Sequence, residues 1–139
     1  FLARAEASQD NMAVTSNVTI QFNTEVFDQN ADYDTSSYTF TAPVTGKYQF
    51  NVTIRLLQID IAANYIQIRL TTSNRTYEIF LLDPGRFSGD LDYFTFGGSI
   101  LADMDANDTA EINVFQRGGT AQLDIGGGGD SHFSGYLVA

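Results

Sequence analysis

Cysteine is absent from this chain. Without thiols there is no disulfide framework, no thiolate nucleophile and no thiolate metal site, so the fold must hold itself together by packing. Basic residues are scarce: seven Lys plus Arg stand against 17 Asp plus Glu, for a net charge of -10. A chain this acidic repels phosphate backbones and anionic headgroups, which argues against nucleic acid and membrane surfaces as partners. No apolar run approaches the ~20 residues of a membrane-crossing helix, so no membrane insertion of that kind is expected. The opening Phe1-Leu2-Ala3-Arg4-Ala5-Glu6 lacks the charged-then-apolar layout of a secretory leader. The numbering is therefore expected to start inside a longer precursor or at an engineered boundary. Histidine occurs once, as His132. Its place beside Phe133 in a strand-like closing stretch suits a structural or surface residue and leaves a hydrolase triad without its base.

What is present suits a single domain over residues 1–139, since domains typically run to roughly 100 to 200 residues. With 43% hydrophobic and 13% aromatic residues the chain is too apolar for disorder and can build a packed core. From Gly46 the pattern alternates strictly: Tyr48, Phe50, Val52, Ile54 and Leu56 point one way, and Lys47, Gln49, Asn51, Thr53 and Arg55 the other. That is a half-buried antiparallel strand. The alternation recurs at Ile66, Ile68 and Leu70 and at Ile112 and Val114. Further strand-like runs cover Val18 to Phe22, Tyr38 to Thr41, Thr76 to Leu82, Phe94 to Leu101, Ala121 to Ile125 and His132 to Val138. Turn-forming clusters separate them, among them Pro43 to Gly46, Asp83-Pro84-Gly85, Asp105 to Asp108 and Gly126 to Gly129. Ile59 to Ala63 is too short for more than a turn of helix. Many short strands with regular turns indicate an all-β sandwich or jelly roll.

Two stretches break the apolar-in, polar-out rule. Ile79-Phe80-Leu81-Leu82 and Tyr136-Leu137-Val138 are apolar on both faces, and a sandwich strand covered on both faces suggests contact with another subunit.

Phe22, Asp28, Tyr33, Phe40, Gly46, Tyr48 and Phe50 follow a spacing F-x5-[N/D]-x4-aromatic-x6-F-x5-G-x-Y-x-F, which resembles the signature of the globular domain of complement C1q. Ser131-His132-Phe133-Ser134-Gly135-Tyr136-Leu137-Val138 resembles that family's closing strand, Phe40-Thr41-Ala42-Pro43 its F-x-A-P turn, and Phe1 to Arg4 its first strand. Leu101 to Val114, with Asn107-Asp108 in place of the usual Gly-Asp, resembles its penultimate strands. Val52 departs from the Phe or Tyr usual at its position and keeps the face buried at smaller volume. The same residues have a folding rationale of their own. Gly46 closes a turn where a positive φ is often needed, Phe40, Tyr48 and Phe50 are core aromatics, and Gly135 inside a strand suggests close approach of a neighbour.

The resemblance implies a ten-stranded antiparallel jelly-roll sandwich of the C1q and tumour necrosis factor type, assembling as a homotrimer. Phe40, Gly46, Tyr48, Phe50, Phe80, Phe133, Gly135 and Tyr136 would form its core and subunit contacts. It implies a non-enzymatic recognition head, binding a protein, glycan or cell-surface ligand at the tip of a stalk or fibre and exposed outside a cell or on a virion, whether in an animal, bacterial or phage protein. The alternative is a structural head that trimerises and caps a fibre without a ligand of its own. Candidate binding loops are Asp28 to Asp34, Leu57 to Asn64 and Ser73-Asn74-Arg75.

Catalytic constellations are poor. Gly126 to Gly129 is followed by Asp130 and no helix, unlike a phosphate cradle, and reads as a flexible loop. The carboxylate pairs Asp90 with Asp92 and Asp103 with Asp105 have no evident cleft to raise a pKa for glycoside hydrolysis. Calcium is the one cofactor the pattern suggests. Asp83 to Asp92 is an acidic, Gly-containing loop of hard oxygen ligands, and the resemblance implies aspartate-bound calcium near a trimer apex, with Asp90 and Asp92 as the candidate ligands. Four Asn-x-Thr sequons, at Asn17, Asn51, Asn74 and Asn107, are candidate glycan acceptors in a chain rich enough in Asn and Thr to produce several by chance.

Overall fold

The alternating stretches form the two long central strands of two packed sheets. In the computed structural model, which describes residues 1–139, the strands are β1 (Leu2–Arg4), β2 (Asn17–Thr19), β3 (Thr24–Phe27), β4 (Tyr33–Asp34), β5 (Thr39–Thr41), β6 (Gly46–Ile59), β7 (Ala63–Thr72), β8 (Thr76–Leu82), β9 (Leu91–Met104), β10 (Thr109–Gly118), β11 (Asp124–Ile125) and β12 (His132–Leu137). A single 3-10 turn, Pro84–Arg86, links β8 to β9. No helix is long and apolar enough to cross a membrane.

In the first sheet β9 pairs the whole length of β6, while β12 and β11 follow one another along the other edge of β6, and β1 and β3 continue outward from β12. In the second, β8, β7 and β10 lie side by side, with β5 and β2 on the far edge of β10 and β4 beyond β5. All these pairings are antiparallel, which gives the all-β sandwich that the alternation predicts.

Differences from the expected strands have local causes. There are twelve strand segments rather than ten, because two-residue pieces such as β4 and β11 pair on their own. The run Val18 to Phe22 pairs only as far as Thr19, yet Ile20 and Phe22 remain fully buried. β9 begins at Leu91 rather than near Phe94, because Leu91 pairs with Ile59 across the sheet.

The core lies between the sheets as one cluster of 26 buried residues, and its aromatic centre is built from the spaced signature. Phe133 packs against Phe1, Phe22, Tyr33 and Phe50, and Phe40 against Phe1, Tyr48 and Phe50, with ring centroids 5.0 to 6.2 Å apart. The polar atoms of the signature fix the loops. The Asp28 carboxylate accepts the backbone N–H of Tyr33 at 2.7 Å, and the Tyr33 hydroxyl donates to the carbonyl of Phe22 at 3.1 Å. Burial pushes that hydroxyl far above the usual tyrosine range, so it remains a donor. The Tyr48 hydroxyl donates to the carbonyl of Val44 at 2.6 Å and so ties down the turn that precedes its own strand.

Gly135 has the close approach expected of it: an added Cβ would stand 2.7 Å from the Phe50 ring and 2.8 Å from that of Phe1. Gly46 is required for a different reason from the one its turn suggests. It lacks a positive φ; instead a Cβ there would meet the Ala139 carbonyl oxygen at 2.6 Å and Leu137 at 2.7 Å. The Gly126 to Gly129 loop is also tighter than its composition suggests. Gly126, Gly128 and Gly129 donate to the carbonyls of Arg55, Glu6 and Ala5, and Gly127 packs on the Ala7 backbone too closely for any side chain.

Candidate recognition surfaces

The single chain leaves the doubly apolar strands half uncovered. β8 and β9 are edge strands on the same side of the sandwich, and Phe80 stacks on Phe96 across the gap between the sheets with centroids 3.9 Å apart. Phe94 joins that pair. Ile79 sits over Gly98, where a Cβ would collide with it. These side chains are only partly buried, and Leu81 beside them is exposed. On the outer face of the first sheet, Leu101, Gln49 and Tyr136 form one cross-strand row. Tyr136 is 58% exposed and Leu101 52%. Between them and the exposed Tyr93 the same face carries small or polar residues: Asn51 between Ser99 and Ser134, then Thr53 between Gly97 and His132. His132 pairs laterally with Arg4 and Thr53. Arg55 lies beyond, bonded to Thr95 and ion-paired with Asp130 at 2.6 Å.

The three candidate binding loops do not form one surface. Leu57 to Asn64 lies at one end of the sandwich beside the loop leading into β9, since the backbone N–H of Ile61 donates to the Asp90 carboxylate at 2.9 Å. Gly118 to Leu123 joins them there, held by Asp60. Ser73 to Arg75 lies at the opposite end against Asp103, Asp108 and Thr109. Asp28 to Asp34 shares that end with Phe1 and the Pro43-Val44 turn. Its last residue, Asp34, accepts from the hydroxyls of Ser36 and Ser37 and the N–H of Ser36, and the Ser36 hydroxyl bond is the main cause of a pKa lowered to about 2.

Asp60 is a residue that sequence patterning does not single out. Buried at the first of these ends, it accepts the N–H of Ala62 on one oxygen, and on the other the N–H groups of Thr120 and Ala121 and the Thr120 hydroxyl, at 2.6 to 3.2 Å. These bonds, that of Ala121 foremost, hold its pKa down at about 2. Gln116 completes the clip, donating to the carbonyls of Gly118 and Ala121 and accepting from Leu123. The rigid end loops are thus set by side chains buried beneath them.

A family model for the C1q domain matches residues 1–138. The chain belongs to the C1q domain family. Among solved structures it is similar to the globular domain of zebrafish complement 1qA protein, at 19% identity and a TM-score of 0.67, with the match covering 100% of this chain and 96% of that one. That likeness is one of fold. A comparison with curated proteins gives no match. C1q domains are typically non-enzymatic recognition heads that commonly form trimers, bind ligands and work outside cells or on exposed surfaces.

Of the residues named for the core and subunit contacts of this C1q domain, Phe40, Tyr48, Phe50, Phe133 and Gly135 are buried and Gly46 is half-buried. Phe80 and Tyr136 lie on separate uncovered surfaces, the open edge and the outer sheet face. Asp90 and Asp92 flank Leu91, the first residue of β9. Asp90 spends one oxygen on Ile61, and Asp92 is already within β9. No three His, Cys, Asp or Glu side chains of one chain gather as metal ligands. Asn17 and Asn74 are exposed and hydrogen-bonded to Arg69 and Asp108, while Asn51 lies within the outer sheet face.

Proposed function

We propose that this C1q domain is the trimeric recognition head of a surface-exposed protein, which binds a protein or glycan ligand through the loops at the end of the sandwich opposite Phe1. The observation that carries this reading is the pair of uncovered apolar surfaces, at the β8–β9 edge and on the outer face around Leu101 and Tyr136, within a family that commonly trimerises. An edge from one copy laid on the face of the next would cover both and repeat around a three-fold axis, which is a heterologous contact that closes. Three copies then present three sets of end loops together, so weak individual contacts add through multivalency. Leu57 to Asn64, backed by the Asp60 clip, and the neighbouring Asp83 to Asp92 are the presented segments.

Leu57 to Ile59 and Ala63-Asn64 are strand ends, with Ile59 and Ala63 buried, so the free part of this segment is Asp60 to Ala62. Replacing Ile61 and Ala62 together with the exposed Gln58 and Asn64 side chains, with Asp60 kept, is expected to abolish attachment of the full-length protein to its natural target while leaving its solution mass unchanged. Retained attachment would instead identify a structural cap.

Calcium belongs to the same reading. Because one chain gathers too few ligands, a cation at Asp90 and Asp92 would draw its remaining oxygen ligands from neighbouring copies and relieve the repulsion among chains of charge -10. The melting temperature is expected to rise in calcium relative to chelator, and identical melting in the two would sink this assignment.

A further inference from the structure

At the end that carries Phe1, the Asp28 to Asp32 loop faces the Pro43-Val44 turn across a groove of about 520 Å³, walled on a third side by Tyr136 and Leu137 and floored by the core rings. The lining is half apolar. Its charged side chains are two carboxylates, and no Lys, Arg or His lines it; the Phe1 ammonium at its edge is held by the Gly135 carbonyl at 3.0 Å. The two carboxylates differ. Asp28 is committed to the backbone N–H groups of Asn30 and Tyr33, whereas the half-buried Asp32 carboxylate accepts no hydrogen bond from the chain. Gln29 and Asn30 line the same groove. An apolar trough that ends at an unpaired carboxylate is complementary to one kind of side chain: an alkyl stem carrying a positive head. The stem would bury against Pro43, Val44 and Leu137, and the head would meet Asp32.

We propose that this groove is a binding site for a lysine side chain of a partner's basic peptide segment. The site lies at the end opposite the loops assigned to recognition, and Tyr136 at its edge is shared with the proposed subunit contact, so the groove is tested on the assembled protein. The acidity of the whole chain works in the same direction, since it raises the local concentration of basic segments around the groove. Lysine suits the groove better than a free small cation, because half the lining is apolar and needs a stem to cover it.

The test is titration of the isotopically labelled protein with Ala-Lys-Ala capped at both ends, followed by backbone amide shifts. The expected result is a saturable change confined to Asn30, Asp32, Val44 and Leu137, absent with the Nε-acetylated peptide. Asp32→Asn, whose side chain supports nothing in the fold, is expected to weaken binding roughly fivefold, the effect of one partly screened ion pair. Asp10→Asn, an exposed carboxylate elsewhere, serves as the control for charge alone and is expected to change nothing. Equal binding of the acetylated peptide, or equal weakening by Asp10→Asn, would overturn the assignment. So would the absence of any shift at these residues, the result expected if a second copy of the chain occupies the groove through Tyr136. Loss of target attachment on replacing the side chains of Gln58, Ile61, Ala62 and Asn64, with the peptide still ignored, would leave the recognition reading standing and remove this site alone.

Discussion

Tyr136→Asp is expected to give a folded protein with the mass of a single chain, 15.3 kDa, and the parent is expected to give three times that in light scattering. Tyr136 is 58% exposed and its ring stacks on no other, so the substitution removes little that the isolated chain uses. In a trimer the same position would place an ionised carboxylate, unpaired, in a contact beside Leu101 and against an apolar edge. Burying such a charge costs several kcal/mol or more, enough to dissociate a contact of ordinary size. Phe80→Asp attacks the complementary surface and is expected to have the larger effect. It also destroys the 3.9 Å stack with Phe96 that closes the open edge of the sandwich, so monomer accompanied by aggregation is the expected form. The two variants together separate assembly from folding. A Tyr136→Asp protein that keeps its circular dichroism and still runs as a trimer would refute the placement of the outer face in the subunit contact.

These two residues also show what can be read without coordinates. The double-sided apolarity of Ile79 to Leu82 and of Tyr136 to Val138 is visible in the sequence because period-two alternation makes every exception conspicuous. That they lie on different surfaces is not visible, since it depends on which strands become edges. The signature spacing was legible for a similar reason. Phe22, Tyr33, Phe40 and Phe50 must each reach one aromatic cluster from a different strand or connection, which constrains their separations tightly. Gly46 was legible as a required glycine and misread as to cause, because its constraint comes from Leu137 and Ala139, some 90 residues further along the chain. The groove at Asp32 was legible only as an acidic loop, since its apolar walls come from the Pro43-Val44 turn and from β12. Asp60 was not legible at all: it reads as one polar residue in a short excursion, and its partners at Thr120 and Ala121 lie 60 and 61 positions away.

That clip gives the second large effect. Asp60→Asn is expected to cost about 2 kcal/mol at neutral pH, from the loss of a buried, charge-assisted acceptor. If the asparagine oxygen keeps Thr120 and Ala121, its amide group must face the N–H of Ala62, and two donors then oppose each other. At fixed protein concentration this corresponds to a melting temperature lower by roughly 5 to 10 °C for a chain of this size. The pH dependence identifies the charge as the cause. The folded-state pKa is depressed to about 2, whereas an unfolded aspartate titrates near ~3.9. The folded state therefore favours the ionised form, and its stabilisation is fully present above about pH 4 and disappears as the pH falls through about 2. Asparagine has no such titration. Other carboxylates, Asp34 among them, titrate over the same range in both proteins and cancel in the difference. The stability gap between parent and variant should thus be constant from pH 7 to pH 5 and narrow steadily below pH 4. A gap that stays constant down to pH 2.5 would mean that the buried carboxylate is held by shape rather than by charge, and that the end loops owe their rigidity to Gln116 alone.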